Sequence, residues 1–82
     1  MRLDEVRNLK IIARAYDNDG WEFTYTPRGH NDDEDYSWPE NICVSCPRCC
    51  TLVDSFDVDD EWLDELIKDE SIPLDGWEKV EF

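Results

Sequence analysis

The rhythm of apolar and polar positions changes along the chain, and each rhythm predicts a different element. Trp21 to Thr26 alternates strictly, with Trp21, Phe23 and Tyr25 on one parity and Glu22, Thr24 and Thr26 on the other. Aromatic and β-branched residues at a period of two predict a strand with one buried face. The run Leu9 to Tyr16 is also rich in apolar residues, and Asp17-Asn18-Asp19-Gly20 between the two runs is turn chemistry. Together these segments predict an N-terminal β-hairpin. Upstream, Arg2 to Asn8 reads as a short helical turn or as the start of the first strand. Pro27-Arg28-Gly29 ends the second strand, because proline donates nothing to a ladder and glycine punctuates turns.

The period becomes helical after Val58. Val58, Trp62 and Leu66, with Leu63 and Ile67, fall three and four residues apart, so Asp59 to Glu70 is predicted to be an amphipathic helix. Asp57 or Asp59 suits its N-cap, acidic residues crowd its first turn, and Ser71-Ile72-Pro73 stops it. Trp62 is expected in the core with Leu63, Leu66 and Ile67. Thr51 to Val58 carries a weaker strand signal, and Trp77 to Phe82 reads as a closing strand after the Asp75-Gly76 turn. His30 to Asn41 has no period; its length and polarity predict a mobile acidic loop, held where Tyr36 and Trp38 dock. The pattern therefore gives a small α+β domain over residues 1–82: a three- or four-stranded antiparallel sheet, a Cys-rich knuckle and one acidic helix.

Composition sharpens this picture. With 82 residues the chain buries little apolar surface and invites a staple, yet four Trp, three Tyr and three Phe suffice for a core. No secretory apolar segment and no run of the roughly 20 apolar residues that cross a bilayer is present, so a soluble, cytoplasmic protein without a membrane partner is expected.

Charge sharpens it further. The 22 acidic residues exceed the 8 basic ones to give a net charge of −14. A magnitude of about 2–8 keeps a small domain soluble, and the excess costs stability through self-repulsion. Residues up to Gly29 carry five acids and five basic groups, whereas Thr51 to Phe82 carries twelve acids against Lys68 and Lys79. A basic partner would therefore meet the later part of the chain.

The candidate chemistry is the cluster Cys43, Cys46, Cys49 and Cys50. Cys-x-x-Cys lets two thiolates chelate one ion from a tight turn, and four such ligands suit tetrahedral zinc. The stretch Cys46-Pro47-Arg48-Cys49 resembles the knuckle of zinc-ribbon and rubredoxin-like sites, where a Cys-Pro-x-Cys turn aims sulfur at the metal. Cys50 replaces the usual glycine and no distant second Cys-x-x-Cys exists, so the resemblance implies knuckle geometry and no function. Neighbouring side chains diverge, which disfavours Cys49 and Cys50 on one ion. His30, the only histidine, is therefore the expected fourth ligand beside Cys43, Cys46 and Cys49, with Cys50 as the substitute. Buried reduced thiols, disulfides, a redox pair and an iron–sulfur cluster are the competing readings.

No P-loop, GxGxxG, HExxH or Ser-His-Asp order is present, and a non-enzyme is expected. The expected function is an inhibitor or modulator that occupies a basic surface of a nucleic-acid-processing protein, stapled by structural zinc. Asp32, Asp33, Glu34, Asp35, Asp60, Glu61, Asp64 and Glu65 would imitate a phosphate array, which carries roughly one charge per 1.7 Å of duplex. Trp38 would add an aromatic anchor. As a class, such chains resemble the small acidic inhibitors that phages direct at host enzymes. Direct nucleic-acid binding is disfavoured, because only Arg48 lies near the cysteines. The rival expectation is a zinc-stabilised structural or adaptor subunit whose charge serves solubility.

Overall fold

The computed structural model describes residues 1–49 and 51–81, so Cys50 and Phe82 lie outside the described residues. Among those, two helices and seven strands follow one another as α1 (Leu3–Leu9), β1 (Ala13–Tyr16), β2 (Glu22–Thr26), β3 (Gly29–Asn31), β4 (Tyr36–Trp38), β5 (Asn41–Ser45), β6 (Leu52–Asp57), α2 (Leu63–Glu70) and β7 (Glu78–Lys79). The class is α+β. One five-stranded sheet has the order β6-β5-β2-β1-β7 and a second pairs β3 with β4, every pairing being antiparallel. The main sheet is thus wider than the three or four strands expected.

Alternation decides which face is covered. Ala13 and Ala15 of β1, Phe23 and Tyr25 of β2, and Ile42 and Val44 of β5 are buried on one side of the sheet. Leu3 and Val6 from α1, with Ile72 and Trp77, complete that cluster, and Leu63, Leu66 and Ile67 of α2 pack against it. The opposite parity carries Arg14 and Tyr16, Glu22, Thr24 and Thr26, and Asn41, Cys43 and Ser45. The fold is therefore two layers, with both helices on one face and a polar second face.

Several expectations need correction. Of the two readings of the N-terminal residues, the helical one holds and the strand start does not: they form α1, ended by Lys10 in the left-handed region (φ 53), so a helix precedes the β1–β2 pair. The segment expected to be a mobile loop contains the β3–β4 hairpin, whose turn is helped by the Asn31 side chain accepting from the Asp33 N–H (3.1 Å). The indole of Trp38 packs so tightly on Gly29 that a Cβ there would collide with the ring, and its N–H donates to the Pro27 carbonyl (3.1 Å). Periodicity does not announce such a hairpin, because one non-local contact holds it.

α2 begins at Leu63, four residues later than expected. Asp59 instead caps a preceding turn, its carboxylate accepting from the Glu61 N–H (3.0 Å). That turn swings Trp62 outward to 59% exposure, so it is not a core residue. Trp77 fills the core in its place, fully buried, with its indole N–H donating to the Pro73 carbonyl (2.8 Å). The closing strand is only Glu78–Lys79, paired with β1. No helix among the described residues is long and apolar enough to cross a membrane.

Candidate functional site

The helical period that turns Leu63, Leu66 and Ile67 inward necessarily turns the remaining α2 positions outward. Asp64, Glu65, Asp69 and Glu70 are exposed, as are Asp60 and Glu61 in the turn before them. Asp64 and Glu65 sit in the first helical turn, where the macrodipole favours negative charge. At the other acidic segment, Asp32, Asp33, Glu34 and Asp35 form the exposed tip of the β3–β4 hairpin. Asp35 closes that tip with a positive φ of 50. Tyr36 and Trp38 lie against each other on one strand, ring centroids 6.1 Å apart. Trp38 is half-buried, and Tyr36 is exposed beside the acids.

Little of this charge is compensated. Among the described residues five of the 22 acidic side chains, those of Asp4, Glu22, Asp32, Glu40 and Asp60, lie within 4.0 Å of a basic group or of His30. Among the described residues the others have no cationic partner, and nearly all of them are exposed to solvent. An exposed array of this kind raises local cation concentration and steers basic partners over a Debye length of about 8 Å at physiological salt.

One polar cluster is organised differently and was not anticipated. Arg7 on α1 clamps Glu40 with two hydrogen bonds, Nε to Oε2 (3.2 Å) and Nη2 to Oε1 (3.0 Å). Its Nη2 also donates to Asp60, and the hydroxyl of buried Tyr25 donates to Glu40. The hydrogen bond to Glu40 holds the Arg7 guanidinium in its charged form ever more firmly, outweighing the cost of partial burial. Burial, followed by the bond to Glu40, pushes the Tyr25 phenol well above its usual range. Arg7 and Glu40 are 33 positions apart in a chain crowded with carboxylates, so nothing in the sequence singles out this pairing. The only hint is that basic residues concentrate before Gly29.

Cys46 and Cys49 occupy the tip of the β5–β6 hairpin, where the Cys46 N–H donates to the Thr51 carbonyl (3.1 Å) and closes the turn. The structure brings Cys46 and Cys49 together: a hydrogen bond from the Cys46 thiol is the main cause that lowers the pKa of Cys49, assisted by Thr51. Cys43 lies within β5 on the polar face, its thiol directed to the Asn41 carboxamide oxygen (3.5 Å). Partial burial raises its pKa.

His30 sits elsewhere. It follows the end of the β2–β5 ladder at which Thr26 faces Asn41, whereas Cys46 follows the other end, at which Glu22 faces Ser45. At about 3.3 Å per residue that ladder spans roughly 13 Å. The His30 ring pairs instead with Asp32 (3.0 Å). Among the described residues no three His, Cys, Asp or Glu side chains are gathered as a metal site. The chemistry available at the tip is a two-thiol chelate, with Cys50 outside the described residues.

Comparison with protein families, with curated proteins and with solved structures gives no match for this chain, so its own residues carry the functional reading.

Proposed function

We propose that this chain is a small acidic binding protein that inhibits or modulates a nucleic-acid-processing protein by occupying its basic surface. The observation that carries this reading is the exposed array of carboxylates on α2, on the turn before it and at the β3–β4 tip, of which only Asp60, with Arg7, and Asp32, with His30, have a partner among the described residues. A channel built for phosphates would meet Asp32 to Asp35 and Asp60, Glu61, Asp64 and Glu65 with complementary charge. The correction to Trp62 strengthens the reading. An indole 59% exposed among carboxylates is an anchor of the kind that interfaces use, and Trp38 and Tyr36 offer a second aromatic site.

In this reading the role is binding and not catalysis, and the cell interior is where such a partner resides. Zinc at the β5–β6 tip would act as a staple, held by Cys46 and Cys49 with its remaining ligands drawn from Cys43 and Cys50 and not from His30, the fourth ligand expected from the sequence. Because the β2–β5 ladder separates His30 from the tip, His30→Ala should retain the metal content of the parent protein while Cys46→Ser loses it. Elemental analysis of purified protein measures both.

The partner is tested by capture from lysate at low salt, identification by mass, and affinity measurement across salt. Affinity should fall steeply between 50 and 500 mM salt, on the order of tenfold or more, because exposed charges are screened. A salt-independent affinity would overturn the mimic reading. It would favour the adaptor reading, for which the exposed Leu52 and Val53 on edge strand β6 are the supporting observation.

A further inference from the structure

The fold gathers part of its scarce positive charge in one place. Between α1, the end of β2 and the base of the β3–β4 hairpin lies a groove of about 650 Å³, lined in part by Arg7, Lys10, Arg28, Tyr25, Trp38 and Glu40. That size is within the range of about 300–1,000 Å³ typical of small-molecule sites. Three of the chain's 8 Lys and Arg residues line it.

The charges in the groove are not equivalent. Glu40 is engaged by two hydrogen bonds from Arg7 and one from Tyr25, and Arg7 also holds Asp60, so this quartet is internally satisfied. Lys10 and Arg28 are exposed, and among the described residues neither has a carboxylate within 4.0 Å. They are the free cations of the groove. Lys10 is also held at φ 53, a left-handed position at the helix C-cap where glycine or asparagine is the ordinary choice. A lysine there gains from the helix dipole, yet its backbone conformation is uncommon, and such positions cluster at ligand clamps. Beside the two cations stands the Trp38 indole, fixed by its bond to Pro27 and by close packing on Gly29.

We propose that this groove binds a phosphate monoester carrying a planar ring, the chemistry of a nucleoside monophosphate. Lys10 and Arg28 take the phosphate through charge-assisted hydrogen bonds, and the ring lies against Trp38. The overall charge of −14 does not forbid an anion here. Screening confines distant carboxylates to about 8 Å at physiological salt, while contact with two cations is local. The inference is independent of the acidic-surface reading, since the groups that take the ligand are Lys10, Arg28 and Trp38 and not the carboxylates that would meet a protein partner.

The test is a titration of the isotope-labelled full chain with AMP, adenosine and inorganic phosphate, followed by amide chemical shifts in phosphate-free buffer at 150 mM salt. AMP should shift the amides of Lys10, Arg28 and Trp38 together with the Trp38 indole signal. Adenosine should shift none of them, and inorganic phosphate should bind about tenfold more weakly than AMP. Lys10→Gly keeps the left-handed cap without strain and Arg28→Gln alters an exposed side chain, so both variants should stay folded. Each should weaken AMP binding about tenfold, the loss expected for one charge-assisted contact. Unperturbed spectra at millimolar AMP, or equal affinity in the double variant, would overturn the phosphate site. Equal affinity for AMP and inorganic phosphate would overturn the role of the ring.

Discussion

Glu40 is the residue on which the packing of α1 against the sheet most depends electrostatically, and its replacement by Gln gives the sharpest test of the fold. The substitution preserves shape but turns a carboxylate that accepts three hydrogen bonds into an amide that accepts with one atom and donates with the other. Because Arg7 donates to both oxygens, in either amide orientation one of its N–H groups must face the NH2, so one bond to Arg7 is lost and the other keeps only the charge of the guanidinium. Breaking a fully buried ion pair costs about 3–5 kcal/mol. Here both side chains keep 21% exposure and the groove admits water, which places the expected loss at about 2 kcal/mol.

Asp60 supplies the control. Its carboxylate also meets Arg7 but is 84% exposed, so Asp60→Asn should cost under about 1 kcal/mol. Urea unfolding followed by tryptophan fluorescence separates the two. At a slope of about 1 kcal/mol/M the midpoint of Glu40→Gln should fall by about 2 M. The melting temperature should fall by roughly 8–16 °C, using the 4–8 °C per kcal/mol of a domain this small. Both variants remove one negative charge from a chain of net −14, which by itself relieves repulsion and acts in the opposite direction. Equal stability of the two variants, or a Glu40→Gln midpoint within about 0.5 M of the parent, would refute the assignment of Glu40 as the anchoring carboxylate.

Other outcomes follow from the same structure. Gly29→Ala forces a methyl into the Trp38 ring and should destabilise the β3–β4 hairpin by about 1–3 kcal/mol, seen as faster amide exchange over residues 29–38. Because the Tyr25 phenol titrates higher when folded than when unfolded, its contribution is complete below the free-tyrosine range near pH 10 and is lost as pH rises above it. Tyr25→Phe should therefore flatten the decline in stability above about pH 10, as denaturation at stepped pH would record. In chelator-treated protein, iodoacetamide should label exposed Cys49, whose thiolate is favoured, before half-buried Cys43, whose thiolate is disfavoured. Peptide mapping over time gives the order, and labelling of Cys43 first would contradict the placement of the two thiols.

How much of this was legible in the sequence depended on whether the signal was local. Phe23 and Tyr25 announced their burial through the alternation of β2, and Leu63, Leu66 and Ile67 announced theirs through helical spacing. Trp62 shared that spacing and still faces solvent, because the Asp59 cap delays the helix past it. α1 was ambiguous because MRLDEVRNLK holds only two buried residues, Leu3 and Val6, at a spacing that suits a turn or a strand end. The β3–β4 hairpin was hidden because its stability comes from Trp38 meeting Gly29 across the ladder. At the cysteines, spacing anticipated the approach of Cys46 and Cys49. The long reach proposed for His30 overlooked that the intervening residues form a hairpin of their own and do not return to the tip.

That hairpin has a consequence for how the chain can change over time. It is inserted where β2 hands over to β5, and those two strands already pair from Glu22 to Thr26 without its help. The main sheet's register is thus set outside it, and residues 30–37 form an outgrowth whose length and lettering can drift while the scaffold stays put. Trp38 and Glu40 mark the root that must be kept. A lineage under pressure to follow a changing target would find its freest ground in the acidic tip, and a protein engineer could graft a new recognition sequence at the same place.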